Sequence, residues 1–144
     1  MKLLLSFVFS TLFVALPVLA DDTTAFEDLT PWQRISMPDS DNLSEFFWLA
    51  RPIVVFADSL NDPRFIEQMD LLEAGSDALL ERDVVVLTGT DPNAKGLLRK
   101  ELRPRGFMMA LIGKDGGVKM RKATPWNVRE ISRVIDKMPS RQRE

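Results

Sequence analysis

Residues 51–57 read RPIVVFA and residues 84–87 read VVVL, two continuous apolar runs rich in β-branched residues. Such runs are typical of strands covered on both faces of a sheet, so we predict central strands at 53–57 and 84–87. Between them, Asp62 before Pro63 predicts the start of a helix. One face of that helix carries residues spaced three and four apart: Phe65, Met69, Leu72, Ser76 and Leu79. A strand–helix–strand unit of this length is expected to be parallel and right-handed.

The second half of the domain continues this alternation. Asp91 before Pro92 predicts a shorter helix that ends near Pro104. Residues 107–112 read FMMALI and predict a third strand, and the glycine-rich link at 113–117 predicts a hairpin to an antiparallel edge strand. The last helix is predicted to begin at Thr124-Pro125 and to bury Val128, Ile131, Ile135 and Met138.

The element order is therefore β-α-β-α-β-β-α. This order predicts an α/β fold, a central four-stranded mixed sheet flanked by helices. The order matches the thioredoxin-like plan, and other small mixed-sheet folds share parts of it. Before it, residues 43–50 predict a short helix whose aromatic residues lie in the core, and residues 21–42 predict an irregular leader. The domain itself is assigned to 43–141, followed by a tail at 142–144.

The first twenty residues have the pattern of a signal peptide. Lys2 precedes an apolar run from Leu3 to Leu16, which is shorter than the roughly 20 residues that span a bilayer. Val18 and Ala20 occupy the −3 and −1 positions of a cleavage site, so we predict cleavage after Ala20. The chain is then periplasmic or secreted, with no stable membrane anchor after cleavage.

The composition excludes whole classes of chemistry. The chain has no cysteine, so disulfide exchange and peroxidatic thiol chemistry are closed to it. It has no histidine, which removes imidazole-based triads and most zinc and copper sites, and we expect neither a cofactor nor a metal. The formal net charge of −2 gives no sign of attraction to nucleic acid.

Several stretches together resemble one protein family. They are RPIVVFA at 51–57, DPR at 62–64, ERDVV at 81–85, LIGKDGGVK at 111–119 and IDKMP at 135–139. Over about residues 47–141 the chain resembles the DUF4174 family, a domain of unknown function with a peroxiredoxin- or thioredoxin-like fold. The resemblance implies that fold and an exported protein, and it implies no established reaction.

The resemblance also indicates a candidate site. In thioredoxin-like proteins the reactive cysteines lie between the first core strand and its helix, where this chain reads DSLND at 58–62. Those folds place a cis-proline beside that loop, at the start of the third strand, where this chain has Gly106 and Phe107. A polar loop at a helix N-terminus can hold a small anion through backbone N–H groups. The candidate ligand-binding residues are therefore Asp58, Ser59, Asp62, Arg64, Gly106 and Phe107.

The same loop allows simpler interpretations. Ser59 and Asp62 are typical helix-capping residues, and an acidic cap competes with an anion for the first helical N–H groups. Asp58 and Asp62 can also form a carboxylate pair for acid–base work, or bind a hard cation with Asn61, although the spacing matches no calcium loop. A further cluster of basic residues is interpreted as a solvated face: Arg99, Lys100, Arg103 and Arg105.

These features favour a non-redox binding or interaction module of the cell envelope, with an unknown protein or small ligand as its partner. One alternative is an enzyme that uses the carboxylates, serine and arginine of the loop from Asp58 to Arg64. Another is a structural assembly subunit whose edge strand at 118–122 pairs with a partner. A catalytic site is expected to hold a carboxylate of raised pKa in a concave pocket, whereas a binding module is expected to expose apolar surface.

Overall fold

A five-stranded mixed sheet forms the centre of the molecule. The computed structural model describes residues 36–38 and 42–144, so the predicted signal peptide and most of the leader lie outside the described residues. The strands are β1 (Ser36–Pro38), β2 (Arg51–Phe56), β3 (Val84–Gly89), β4 (Met108–Ile112) and β5 (Val118–Lys122). Their order across the sheet is β1-β3-β2-β4-β5.

In the described part of the chain, four α-helices and two short 3-10 helices cover this sheet. The α-helices are α1 (Pro63–Ala74), α2 (Ser76–Leu80), α3 (Leu97–Leu102) and α4 (Val128–Asp136). The 3-10 helices span Leu43–Phe46 and Arg141–Arg143. Among the described residues, no helix is both long and apolar enough to cross a bilayer.

The strand pairing confirms the mixed α/β sheet predicted from the sequence. Strands β2 and β3 are parallel, with Ile53 opposite Val86, and β4 runs antiparallel to β2, with Leu111 opposite Ile53. The glycine-rich hairpin makes β5 antiparallel to β4 and an edge of the sheet. The short β1 adds a fifth strand, parallel to β3, within the leader predicted to be irregular. Three residues ending in proline carry too little pattern to show a strand.

Both faces of the sheet are covered, which explains the unbroken apolar runs in β2 and β3. Alternate residues of a strand point to opposite faces. Helices α1, α2 and α4 pack on one face, where Ile53, Val55 and Leu72 are buried together. The first 3-10 helix and α3 pack on the other, where Val54, Val85 and Leu102 are buried.

The structure corrects the predicted start of two helices. Asp91 caps only a turn, its carboxylate accepting a bond of 2.9 Å from the Asn93 N–H, and α3 begins at Leu97. The cap of α4 is Asn127 rather than Thr124, because the Asn127 side chain accepts the Glu130 N–H at 2.9 Å. Proline after a capping residue marks turns as well as helix starts, so the same signal was misleading in both places.

The segment before β2 also differs from the prediction. Phe46 is buried, but Phe47 and Trp48 are 44% and 71% exposed rather than in the core. Trp48 has a positive φ of 64°, and its N–H donates to the Lys114 carbonyl at 2.9 Å. This tight turn into β2 directs the aromatic side chains outward, and Phe47 then lies against Gly116, where a Cβ would approach its ring to 2.6 Å.

A buried glutamine joins α1 to the segment before α4. The Gln68 side chain is fully buried, donates to the Trp126 carbonyl at 2.9 Å and accepts the Trp126 N–H at 2.9 Å. The two bonds satisfy both backbone groups of Trp126 in a partly buried position. Gln68 lies on the helical face that the apolar pattern predicted to be core, and no sequence pattern indicates its contact with Trp126.

We expect Gln68→Leu to lower the free energy of unfolding by about 2 kcal/mol. The substitution leaves the N–H and the carbonyl of Trp126 without hydrogen-bond partners in a partly buried position. Urea unfolding measures the change. The matched control is Gln142→Leu, at an exposed glutamine of the second 3-10 helix, for which we expect less than about 0.5 kcal/mol. Equal effects of the two variants would show that the Gln68 bonds contribute nothing.

Candidate functional site

The loop between β2 and α1 is organised by its own capping residues. The Ser59 hydroxyl accepts the Asn61 N–H at 3.1 Å, and the Asp62 carboxylate accepts the Arg64 N–H at 2.9 Å. Pro63 occupies the first helical position. The capping interpretation of Asp62 is therefore confirmed, and its carboxylate occupies a backbone donor that an anion would need.

Arg64 turns back onto that cap. Its Nη2 and Nε lie 3.1 Å and 3.3 Å from the two carboxylate oxygens of Asp62. The side-chain hydrogen bonds from Arg64 lower the pKa of Asp62 below its ordinary value. Asp62 is therefore held as a carboxylate, and it lacks the raised pKa expected of a general acid near neutral pH.

Arg64 also links the loop to the start of the third core strand. Its guanidinium carbon lies 5.6 Å from the centre of the Phe107 ring, which is buried beneath it. Gly106 has a positive φ of 68°, and a Cβ there would lie 3.7 Å from Arg64 Nη2 and 3.9 Å from Asp58 Oδ2. The fold thus places Asp58, Arg64, Gly106 and Phe107 close together.

Gly106 and Phe107 occupy the position beside this loop where thioredoxin-like folds place a cis-proline. The described residues contain no cis peptide bond, and Pro104 lies two residues before Gly106. Because Gly106 has no side chain, its backbone is open toward the Asp58 and Arg64 side chains. Ser59 faces the turn rather than this group, since its hydroxyl bonds the Asn61 N–H.

The sequence did not indicate that the loop exposes an apolar side chain. Leu60, the one apolar residue between Asp58 and Asp62, is 66% exposed. A leucine inside a capping turn shows no periodicity, so nothing in the sequence separated a buried Leu60 from an exposed one. No group of three or more carboxylate side chains that could hold a metal ion occurs within the described ranges.

The comparisons with known proteins fit this architecture. The family model for a domain of unknown function, DUF4174, matches residues 42–144. This chain belongs to the DUF4174 family. No curated protein matches it.

Two solved structures show that this DUF4174 domain has a thioredoxin-like fold. The reduced 2-Cys peroxiredoxin of Plasmodium vivax is similar over 72% of this chain and 85% of its own, with a TM-score of 0.56 and 18% identity. Chloroplastic thioredoxin z is similar over 72% of this chain and 93% of its own, with a TM-score of 0.55 and 19% identity. Identity this low supports the fold alone.

A second polar cluster of the DUF4174 domain lies where β2 begins. Arg51 is fully buried and donates to the Arg82 carbonyl at 2.8 Å and to the Glu144 carboxylate at 2.7 Å. Lys114 lies 2.7 Å from the same carboxylate and 2.9 Å from Asp83. Arg51 lies in β2, Lys114 lies in the β4–β5 hairpin, and Glu144 follows the second 3-10 helix. This ionic cluster therefore holds the three segments together, and its role is structural.

The cluster alters the titration of Glu144. Burial raises the pKa of Glu144, but hydrogen bonds from Lys114, Arg51 and Arg141 outweigh burial and lower the pKa to about 2. A folded-state pKa below the ordinary value of 4.5 means that the carboxylate stabilises the fold above pH 4.5. That contribution is lost as the pH falls from 4.5 toward 2.

We therefore expect Glu144→Gln to destabilise the protein near neutral pH by about 1–2 kcal/mol, because it removes charge-assisted hydrogen bonds. The difference in the free energy of unfolding between wild type and variant should become small as the pH approaches 2, where Glu144 itself is half protonated. Urea unfolding across this pH range measures the difference. A difference that stays constant down to that pH would contradict the ionic role of Glu144.

Proposed function

We propose that this DUF4174 protein is a non-redox binding module of the cell envelope, which binds a protein or small ligand at the loop between β2 and α1. The observation that carries the proposal is the composition of the loop surface. Asp62 and Arg64 neutralise each other there, at 3.1 Å, while Leu60 is 66% exposed beside them. An exposed apolar side chain next to a fixed ion pair suits reversible recognition.

Binding without covalent chemistry follows from the residue content of the loop. Redox-active thioredoxin-like proteins exchange disulfides through cysteine thiols. This chain contains no cysteine. The open backbone at Gly106 and the Arg64 side chain above Phe107 remain as recognition groups. They offer a guanidinium whose charge Asp62 balances, one backbone segment and, with Leu60, one apolar contact.

The loop supports an enzyme less well than a binding site. The pKa of Asp62 is lowered by its bonds to Arg64, which is opposite to the shift that a general acid needs near neutral pH. Ser59 Oγ is already an acceptor for the Asn61 N–H, and no histidine exists in the chain to activate it as a nucleophile.

An assembly role for the edge strand β5 is also less well supported. Lys119 pairs with Asp115 at 2.7 Å, Arg121 donates to the Leu102 carbonyl, and Lys122 lies 3.9 Å from the centre of the Trp126 ring. Three cations in five residues oppose pairing with another strand, as on protected edges. They are also already engaged within the domain.

The envelope location rests on the sequence of the first twenty residues. A basic residue, an apolar run too short to span a bilayer and the small residues Val18 and Ala20 support export and cleavage. N-terminal sequencing of the mature protein from the envelope fraction tests this part. A mature chain that keeps Met1 in a cytoplasmic fraction would contradict it.

Affinity capture from envelope extract tests the binding site. The variants are Leu60→Asp and Arg64→Ala, and the matched control is Leu97→Asp, because Leu97 is exposed to almost the same extent, 65% against 66%. We expect wild type and Leu97→Asp to retain the same partner and the two loop variants to lose it. Circular dichroism and thermal melting confirm that each variant is folded.

Two results would contradict the proposal. Retention of the same partner by both loop variants would show that the loop is not the binding surface. Capture of nothing by the wild type, beyond what an unrelated carrier protein retains, would show that the protein has no envelope partner of this kind.

A further inference from the structure

The charges of the domain are divided between two helical segments. Residues 63–81, which form α1 and α2, contain five acidic residues and one basic residue, a net charge of −4. Residues 95–105, which include α3, contain five basic residues and one acidic residue, a net charge of +4. The protein therefore carries two equal and opposite patches, although its formal net charge is only −2.

These two patches lie on opposite sides of the sheet. Phe65, Leu72 and Leu79 pack α1 and α2 against one face. Leu98 and Leu102 pack α3 against the other. The charged outer surfaces of the two segments consequently face away from each other, and neither can neutralise the other within one molecule.

Each patch contains exposed apolar surface. On α1 a shallow, open groove of about 570 Å³ is lined by Pro63, Ile66 and Leu71 together with Glu67 and Asp70, all of them residues of this one helix. Ile66 is 47% exposed in it. We call this surface the acidic groove. On the opposite side, Leu97 is 65% exposed at the start of α3.

The charges around Leu97 are available for an external contact. Lys95 and Lys100 are exposed on either side of Leu97 and make no ion pair with any described residue. We call Lys95, Leu97 and Lys100 the basic knob. The neighbouring Arg99 is different, because it donates to the Gly89 carbonyl at 2.9 Å and lies over the Phe56 ring. Arg99 is therefore left out of the knob.

The acidic walls of the groove are equally available. Glu67 and Asp70 are exposed, and in the described part of the chain neither forms an ion pair. They differ in this from Asp83, Asp115 and Asp136, which are paired with cations at 2.7–2.9 Å. Two like charges three residues apart on one helix repel each other weakly, so a cationic partner relieves that repulsion.

We propose that the occupant of the acidic groove is the basic knob of a second copy of this chain. Leu97 of one molecule enters the groove beside Ile66 of the next, and Lys95 and Lys100 face Glu67 and Asp70. The contact joins two different surfaces, so it is head-to-tail and builds either a closed ring or an open row of molecules. It uses neither Leu60 nor Arg64 and is independent of the loop proposal.

Sedimentation equilibrium of the purified protein tests this association. The average mass is expected to rise with protein concentration at low ionic strength and to fall toward the monomer at about 0.5 M salt, because salt screens exposed charges. Leu97→Asp is expected to weaken association at least about tenfold, since it places a carboxylate against the acidic walls. Leu60→Asp should leave association unchanged.

Charge reversal makes the test specific to the two surfaces. A groove variant carries Glu67→Lys and Asp70→Lys, and a knob variant carries Lys95→Glu and Lys100→Glu. Each alone brings like charges together and is expected to be monomeric. Mixed in equal amounts they restore both kinds of contact, so the mixture should associate again. The control, Arg129→Glu on the exposed part of α4, should associate as the wild type does.

Any of three results would overturn the proposal. The first is a wild-type protein that stays monomeric at low ionic strength up to millimolar concentration. The second is association that persists in both reversed variants, which would assign it to another surface. The third is a mixture of the two variants that remains monomeric while circular dichroism shows both to be folded, which would leave the groove to a partner other than this chain.

Discussion

Replacing Arg51 with methionine is expected to lower the free energy of unfolding by about 3 kcal/mol. The guanidinium is fully buried and donates to the Arg82 carbonyl and to Glu144. Methionine fills much of the same volume but leaves that carbonyl without a donor. Lys114 and Arg141 still neutralise Glu144, which keeps the loss at the lower end of the range for a broken buried pair.

Urea unfolding measures this loss as a shift of the midpoint at constant slope. Arg133→Met is the matched control, because Arg133 pairs with Glu130 at 2.9 Å while more than half exposed. Exposed pairs of this kind contribute about 0.5 kcal/mol or less. A loss at Arg51 no larger than the loss at Arg133 would contradict the structural role given to the ionic cluster.

Gly75→Ala is the second substitution with a large expected effect, a loss of about 2–3 kcal/mol. Gly75 has φ −105°, which alanine adopts without strain, so the backbone gives no reason for a loss. In an exposed helix the same change would stabilise by roughly 1 kcal/mol. Here the added Cβ would lie 2.5–2.6 Å from three side-chain atoms of Val128 in α4, closer than any real contact.

A double-mutant cycle with Val128→Gly isolates that contact. Val128→Gly removes all three of the atoms that the new Cβ would meet. We expect the double variant to lose at least about 1 kcal/mol less than the two single losses added together, because the clash disappears. Additive losses, or a stabilising Gly75→Ala, would show that α1 and α4 do not approach each other this closely.

The division of the helix at Gly75 is a feature of the fold that the sequence did not predict. The apolar stripe from Phe65 to Leu79 predicted one helix, whereas the structure divides it into α1 and α2 at Gly75. The periodicity itself was informative, because it placed Phe65, Leu72 and Leu79 in the core. The close approach that requires a glycine there comes from Val128 in α4, more than fifty positions along the chain, and a local pattern does not show such a contact.

The sequence of the four core strands along the chain, and the edge position of the last of them, were predictable for a physical reason. Residues 53–57 and 84–87 are apolar at every position, which only a sheet covered on both faces accommodates, and the glycine-rich link at 113–117 allows only a hairpin. The edge strand β1 and the outward turn at Trp48 were missed. Both depend on backbone bonds to distant residues, Ser36 pairing with Val86 and Trp48 donating to Lys114.

The candidate site divides in the same way. Knowledge of where this architecture displays its reactive groups led to the residues that the fold brings together, Asp58, Arg64, Gly106 and Phe107. The pairing of Arg64 with Asp62 and the exposure of Leu60 required coordinates. An ion pair and the exposure of a leucine depend on where side chains lie in the fold. Neither can be read from the residue types alone.

Hydrogen exchange on the complex with the captured partner tests the central claim most directly. The claim is that this thioredoxin-like domain binds, without covalent chemistry, through the loop after β2. Slowed exchange at residues 58–64 and 105–107 on binding is the expected result, with no change at the Leu97 end of α3. Slowed exchange confined to other parts of the molecule, with the loop unaffected, would contradict it.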